Sequence, residues 1–371
     1  MGHARHATPA AATVADPADA VTATALVGPP RRALTRPAPA RGYRGSVADS
    51  SPSSPSTTPA PPRSAVFLAA LATAAVPGLE VVATRHPRGV EETVEYTGIL
   101  DSAGRSWVVR APRTVAAGAA LEAEWALLAA LADATRHDEL PFEIARPTGF
   151  ADLDEGGRAV VHPDLPGRDL PLHTLVPGPG LSAHLGRSLA ALHEVETAAI
   201  ADSGLAVYTA DECRTRLLAE LDLMAQTGRV APEVLRRWEA ALEDVRAWRF
   251  RPVLVHGDLA PERVLADRDR VLAITDFTAA HIGDPAVDLA WLIAAAPEDA
   301  LESILEAYAL HRGEGAGTMV IARAQLLSEL ALGRWLLHGL RIGDSLVTDE
   351  AEAMLADLAI AIDGAADIVG A

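Results

Sequence analysis

The chain has 371 residues and a formal net charge of −18, and its 32 basic residues are all arginine. Without lysine, a Walker-type P-loop is excluded, because its lysine reaches the β/γ-phosphates; so is Schiff-base chemistry, which needs an amine nucleophile. Fifty acids against 32 arginines argue against a nucleic-acid partner, and the single cysteine, Cys213, excludes an intrachain disulfide framework and fits a reducing, cytoplasmic setting.

The first 63 residues differ from the rest. They hold 11 of the 26 prolines and one aromatic residue, Tyr43, and seven Arg against three Asp give them a net charge of +4, which leaves −22 on the remainder. The run Ser50 to Pro59 has no apolar periodicity, so this segment is expected to be disordered. A short packed helix is expected over 65–75. No run approaches 18 strongly apolar residues free of charge, so no membrane span is expected. The body from 64 onward is large enough for one two-lobed unit.

Strands are predicted at Val81–Ala83, Thr93–Leu100 and Trp107–Arg110, with a hairpin turn at Ser102 to Arg105. A helix over Ala116–Ala132 follows, then strands at Ile144–Phe150 and Ala159–His162. From Gly180 helices dominate, at 182–195, 211–226, 231–247, 285–296, 297–312, 318–340 and 349–362. A β insertion interrupts them at 252–255, 263–266 and 271–275. A small β-rich lobe (64–162) followed by a larger helical lobe (163–371) is an α+β layout.

Chemistry concentrates in one segment. His256-Gly257-Asp258-Leu259 follows an apolar strand, Asp276-Phe277 ends a second strand after a tight hairpin at Asp267 to Arg270, and Gly283-Asp284-Pro285 leads into Asp288-Leu289-Ala290-Trp291. Asp258 and Asp276 can thus stand side by side at one mouth, where one accepts a hydroxyl proton and the other holds Mg²⁺ on a nucleotide. Phosphoryl transfer asks for this positioning and charge neutralisation. Asp284 is expected to cap the helix that starts at Pro285, Asp288 to sit in its first turn, and His256 to bond backbone around the loop. His193 ends an amphipathic helix and is expected to be a packed core histidine.

This order and spacing resemble the aminoglycoside/macrolide phosphotransferase family, relatives of protein kinases, over most of residues 64–345, with the closest motif match to macrolide phosphotransferases. The resemblance implies a protein-kinase-like two-lobed fold that moves the γ-phosphoryl group of ATP or GTP to a small-molecule hydroxyl, with Asp258 as catalytic base and Asp276 as the main Mg²⁺ ligand. It also implies a phosphate cation on a strand, normally lysine, for which Arg110 stands here. Its ion-pair partner is expected on the next helix: Glu124 shares a face with Leu121, Leu128 and Leu131 and so points inward, with Glu122 as the fallback. The nucleotide base is expected to meet backbone around Val161, His162 and Asp164, and the phosphates to lie under Arg88 to Thr93, a segment with one glycine.

One position departs from the pattern. Five residues after Asp258 members typically carry Asn, a second metal ligand, or His in macrolide-phosphotransferase-like sequences. Here it is Arg263, and a guanidinium cannot ligate a cation; it can contact a phosphate oxygen instead, or turn away, or the activity can be lost. The acceptor is expected between the Asp258 loop and helices 211–247 and 318–345; the many acids of 211–247 would suit a polycation but are read first as a solvated helix face, and Trp238, Trp248 and Trp335 offer apolar surface. Three readings stay open: an antibiotic-type phosphotransferase, a metabolite kinase for choline, homoserine or sugars, and a non-catalytic pseudokinase that binds nucleotide. The sequence leaves oligomeric state open.

Overall fold

The structure is a computed structural model and describes residues 62–85, 93–134, 140–154, 157–317, 319–363 and 367–369. The tail expected to be disordered, apart from Pro62 and Arg63, and most of the expected phosphate-covering segment lie outside the described residues.

Helix α1 (Ala65–Ala75) begins where Ser64 Oγ accepts the Phe67 N–H at 3.1 Å. Next comes a five-stranded antiparallel sheet of β1 (Val81–Arg85), β2 (Val94–Asp101), β3 (Ser106–Pro112), β4 (Gly149–Asp152) and β5 (Arg158–Pro163), in the spatial order β1-β2-β3-β5-β4. The period of two along β3 divides its side chains between two layers. Trp107, Val109 and Ala111 join Ile99, Ala159 and Val161 in a small core under α1. Arg110 lies on the opposite face, towards α2 (Val115–Ala134). The β2–β3 hairpin is tied by Asp101, whose carboxylate accepts the N–H groups of Ala103 and Arg105, Arg105 Nε and Trp107 Nε1 at 2.7–3.0 Å.

Helix α2 is long and apolar enough to cross a membrane by length and composition alone. Here its residues Leu121, Trp125, Leu127, Leu128 and Leu131 are buried in the main core. That core continues into the helical part: α3 (Leu181–Glu194), α4 (Ala210–Gln226), α5 (Pro232–Glu243), α6 (Val287–Ala295), α7 (Glu298–Arg312), α8 (Val320–Ile342) and α9 (Ser345–Ala361). Helices α3 and α7 approach closely at Gly186, where a Cβ would stand 2.1 Å from the Ile304 carbonyl oxygen. The functional loops hang on short strands: β7 (Val253–Val255) pairs with β10 (His281–Gly283), and β8 (Val264–Ala266) lies between β6 (Arg168–Asp169) and β9 (Val271–Ile274).

The layout is α+β, as expected, and differs from the predicted elements in places with identifiable causes. Residues 144–148 are not a strand. Pro147 has no N–H to give a ladder, and the preceding Glu143 instead exchanges backbone bonds with β9, to the Leu272 carbonyl at 2.7 Å and from the Ile274 N–H at 3.1 Å. Helix α5 stops at Glu243 rather than continuing to 247, because Asp244 leaves the helical region (ψ 91°) and its side chain accepts the Arg246 N–H. Helix α9 begins at Ser345, four residues early, because Asp344 caps it by accepting from Leu346 and Val347. Strands β6 and β10 have three residues or fewer and carry no readable alternation.

Candidate active site

Strand β7 ends at Val255 and delivers Asp258 through Gly257, which has φ +84°. A side chain here would be strained by that backbone, and its Cβ would stand 2.4 Å from the Ala279 carbonyl oxygen, so glycine lets the loop touch the following turn. The loop is fixed from behind by Asp288 on α6. Its two carboxylate oxygens accept the His256 N–H at 2.7 Å and the Gly257 N–H at 2.8 Å, and His193 Nε2 lies 3.1 Å away. Burial opposes ionisation of Asp288, but the bond to His193 and the attraction of His193 and His256 outweigh it and hold the carboxyl below its usual range. Asp288 was expected simply to complement a helix dipole; the structure makes it the anchor of the Asp258 loop. His193 is a buried core histidine as read, and it meets Tyr308 Oη as well, at 2.9 Å. His256 Nε2 faces the Thr275 carbonyl at 2.9 Å, which ties the loop to the end of β9.

Asp284 plays a different part from a simple cap. Its side chain accepts the Ala286 N–H at 2.9 Å, and it forms a two-pronged pair with Arg323 on α8, at 2.7 and 2.9 Å, both side chains being 3% exposed. It therefore clamps the start of α6 to α8.

Asp276 follows β9 with φ 64° and ψ 68°, the sole non-glycine with positive φ among the described residues. Such a backbone costs on the order of 1–3 kcal/mol and persists because the surroundings fix it. Asp276 Oδ1 accepts from Arg110 Nη2 at 3.1 Å and from Thr278 Oγ1 at 2.8 Å, and Oδ2 accepts from Arg263 Nε at 3.1 Å. The next N–H, of Phe277, donates to Glu124 Oε1 at 2.9 Å.

Arg110 Nη1 donates to Glu124 Oε2 at 2.6 Å, so the strand cation, the α2 carboxylate and the Asp276 turn form one unit. Glu122, the fallback, faces outward to Arg158. The Arg110 guanidinium lies 5.2 Å from the Tyr96 ring centroid and 5.5 Å from that of Trp125. Burial opposes its charge, but Glu124, Tyr96 and Asp276 hold its pKa above the ordinary value. Its Nε is buried and has no partner among the described residues, a donor that a phosphate oxygen would satisfy.

Arg263 stands between the two acids. Nη1 pairs with the Asp258 carboxylate and donates to the Asp258 carbonyl at 2.5 Å, while Nε reaches Asp276. Of the three options the sequence left open, the structure rules out a side chain that turns away. Burial pushes the Asp258 carboxyl up, Arg263 opposes this and Asp276 adds to it, with the result near about 7.

The expected base-binding stretch is less open than the sequence suggests. The Val161 carbonyl accepts the Thr148 N–H at 2.8 Å, and the Asp164 N–H donates to the Ser106 carbonyl at 2.9 Å. The first is engaged because the chain entering β4 runs beside β5, the second because β5 runs on to Pro163 beside β3. The Asp164 side chain pairs with Arg85 at 3.3 Å. His162 is buried, packs 5.8 Å from the Trp125 ring and shares Nδ1 with the Pro163 carbonyl at 2.8 Å; burial first, opposed by that bond and aided by Arg110, lowers its pKa to about 4.

Beside Asp258 opens a cavity of about 350 Å³ between α4, α6 and α8. Leu217, Leu259, Val287, Trp291 and Leu327 give it apolar walls. Every carboxylate that lines it already faces an arginine: Asp258 meets Arg263, Asp284 meets Arg323, and Glu220 meets Arg334 at 2.8 Å. Of the acids on 211–247, only Glu220 lines the cavity and most of the others are exposed, in keeping with a solvated helix face, and α5 contributes nothing; the expectation for the tryptophans is corrected. Of the tryptophans, Trp291 lines the cavity, whereas Trp238 is fully buried with its N–H on Glu329, Trp248 is buried with its N–H on the Ala241 carbonyl, and Trp335 stacks on His338.

Among the described residues no cluster of three or more His, Cys, Asp or Glu side chains is arranged to hold a metal. Mg²⁺ commonly takes one or two carboxylates and completes its shell from phosphates and water. Asp276 would offer one such ion a single carboxylate oxygen, Oδ2, which accepts from Arg263, whereas Oδ1 already accepts from two groups, Arg110 and Thr278. A second ion would lack a ligand at residue 263, because a guanidinium supplies none.

These features can be set against known proteins. A sequence profile for the phosphotransferase enzyme family (APH) matches residues 82–324. The apoenzyme of macrolide 2'-phosphotransferase MphH from Brachybacterium faecium is similar at 26% identity with a TM-score of 0.65, over 78% of this chain and 97% of that one. The GDP complex of wild-type aminoglycoside 2'-phosphotransferase-IIIa shares the fold at 20% identity with a TM-score of 0.63, over 80% and 98% of the two chains. An uncharacterized protein of Bacillus subtilis (strain 168), YcbJ, is 28% identical over 192 residues, a match that spans 51% of this chain and 62% of that protein. With a family match that covers well over half its length and a protein-kinase-like fold shared with macrolide and aminoglycoside kinases, the chain belongs to the phosphotransferase enzyme family.

Proposed function

We propose that the protein transfers the γ-phosphoryl group of ATP or GTP to a hydroxyl of a small, largely apolar molecule seated in the cavity beside Asp258. The observation that carries this is the place of Asp258: it lines the cavity and, through Arg263, it adjoins Asp276. An acceptor hydroxyl in the cavity and a nucleotide phosphate at Asp276 would meet across that carboxylate.

In this reading Asp258 accepts the hydroxyl proton as the acceptor oxygen bonds to the γ-phosphorus. The bond from that phosphorus to the β–γ bridging oxygen breaks, and its electron pair leaves with the nucleoside diphosphate. Arg110, braced by Glu124, holds phosphate oxygens. Asp276 would hold Mg²⁺, which when bound neutralises phosphate charge. A site in the cytoplasm, where nucleoside triphosphates are supplied, follows from this chemistry.

The cavity favours an apolar body over a polycation. A polycationic acceptor needs carboxylates to spare, and Asp258, Asp284 and Glu220 are each committed to an arginine. The apolar walls suit a macrolide-like molecule better than an aminoglycoside or a small charged metabolite. The test is an acceptor panel of macrolides, aminoglycosides, choline, homoserine and sugars, each with ATP and with GTP. Acceptor-dependent nucleoside diphosphate release is expected first among the macrolides.

The Arg263 clamp favours one rival, a nucleotide-binding module without turnover. Nucleotide binding with no transfer to any acceptor at any Mg²⁺ level would establish that rival.

A further inference from the structure

We propose that Arg263 is a resident cation of the phosphate site, standing where a second divalent ion would otherwise sit, so that the loaded protein takes up a single metal ion. This rests on the phosphotransferase reading above and adds to it a metal stoichiometry.

The first argument is placement. Two carboxylates brought together with little solvent repel each other unless a cation lies between them. Here the Asp258 and Asp276 side chains are 6% and 10% exposed, and the group between them is the Arg263 guanidinium, bound to both. A metal bridging the pair would compete for the same carboxylate oxygens and would approach a permanent positive charge.

The second argument is rigidity. The guanidinium is delivered by backbone fixed on both sides of Arg263. Its N–H donates to the Ala260 carbonyl at 3.0 Å, and its carbonyl accepts the Thr275 N–H at 3.0 Å. Residue 263 is therefore locked to the turn that leads into Asp276. The planar head also grips the Asp258 main chain at 2.5 Å, so it orients the loop as well as balancing charge. A guanidinium presents several N–H donors in one plane, which suits phosphate oxygens in a way that a hydrated metal does not.

The consequence is a site whose two acids are organised before any metal arrives. The test counts metal directly. Electron paramagnetic resonance of Mn²⁺, titrated into the full chain saturated with a non-hydrolysable ATP or GTP analogue, reads ions bound per nucleotide complex. Wild type is expected to take up one Mn²⁺, and Arg263→Asn, which replaces the cation with a carbonyl ligand, two. Arg263→Lys keeps a cation and is expected to remain at one, which preserves the comparison if the Asn variant folds poorly. Two ions in wild type, or one in a folded Arg263→Asn protein, overturn the proposal while leaving the phosphotransferase reading intact. A failure of wild type to bind either nucleotide analogue overturns both.

Discussion

Glu124 on α2 accepts the main-chain N–H of Phe277 at 2.9 Å, across 153 residues of sequence. The same carboxylate holds Arg110 at 2.6 Å. One side chain therefore sets the strand cation and the Asp276 turn relative to each other, and in the proposed reading a nucleotide phosphate held by both would be positioned through Glu124.

Glu124→Ala is expected to cost about 3–5 kcal/mol of stability, because it leaves the Arg110 guanidinium buried without its main partner. In the fraction that folds, nucleotide affinity should fall as well. Urea denaturation and equilibrium nucleotide binding check the two effects separately. Lost stability with unchanged nucleotide affinity would show that Arg110 does not hold phosphate.

The Asp284–Arg323 pair offers the contrast. It is as deeply buried, but Arg323 also donates to the Ala247 carbonyl at 2.8 Å and lies over the Phe250 ring, well away from Asp276 in the bonding network. Arg323→Met should lose a similar about 3–5 kcal/mol with nucleotide affinity unchanged. The double variant Asp284→Leu/Arg323→Met should recover part of that loss, since replacing both charges removes the uncompensated one.

The rate should depend on pH through Asp258. A general base acts ionised, and burial raises this carboxyl to about 7. In the free enzyme kcat/KM should therefore rise as pH passes upward through about 7 and fall below it. A profile that is flat from pH 5 to 8 would remove Asp258 from the proton-transfer step.

Much of this site was legible in the sequence, because its residue types are dictated by chemistry. Asp258 and Asp276 follow strands, glycine precedes the first acid where backbone must touch backbone, and the face shared with Leu121, Leu128 and Leu131 was enough to choose Glu124 over Glu122. Other features depend on where distant segments meet. No local pattern shows that Asp288 would catch the N–H groups of His256 and Gly257, 32 and 31 residues earlier. Nor does one show that Trp291, rather than Trp238, Trp248 or Trp335, would line the cavity. Arg263 was visible as a departure from a pattern, but its grip on both carboxylates follows only from the β8–β9 hairpin that brings Asp276 back beside it.

Away from the site, Asp101 makes a pH-dependent contribution to stability. Burial opposes its charge, but hydrogen bonds from Trp107 and Arg105 prevail and hold it at about 2, against 3.8 ordinarily. A carboxyl depressed by folding stabilises the native state above its unfolded pKa and loses that contribution as pH falls through its folded pKa. Asp101→Asn should thus lower the Tm at pH 6, and the gap to wild type should narrow as pH drops from about 4 towards 2. A gap that is constant over this range would assign the effect to geometry instead.

Cys213, the single cysteine of the chain, lines the cavity, and burial, with a smaller push from Asp284, raises its thiol to about 11. Its alkylation should be slow at pH 7, faster at pH 9.5, and slower again when an acceptor fills the cavity. Equal rates with and without an acceptor that is turned over would place the acceptor elsewhere.

The most direct test is single-turnover transfer of γ-³²P from ATP or GTP to the best acceptor, for wild type and Asp258→Ala, with nucleotide affinity measured alongside. A positioned general base contributes about 10²–10⁴-fold, so the variant should transfer label that much more slowly at unchanged nucleotide affinity. Equal transfer by the two proteins would contradict the account.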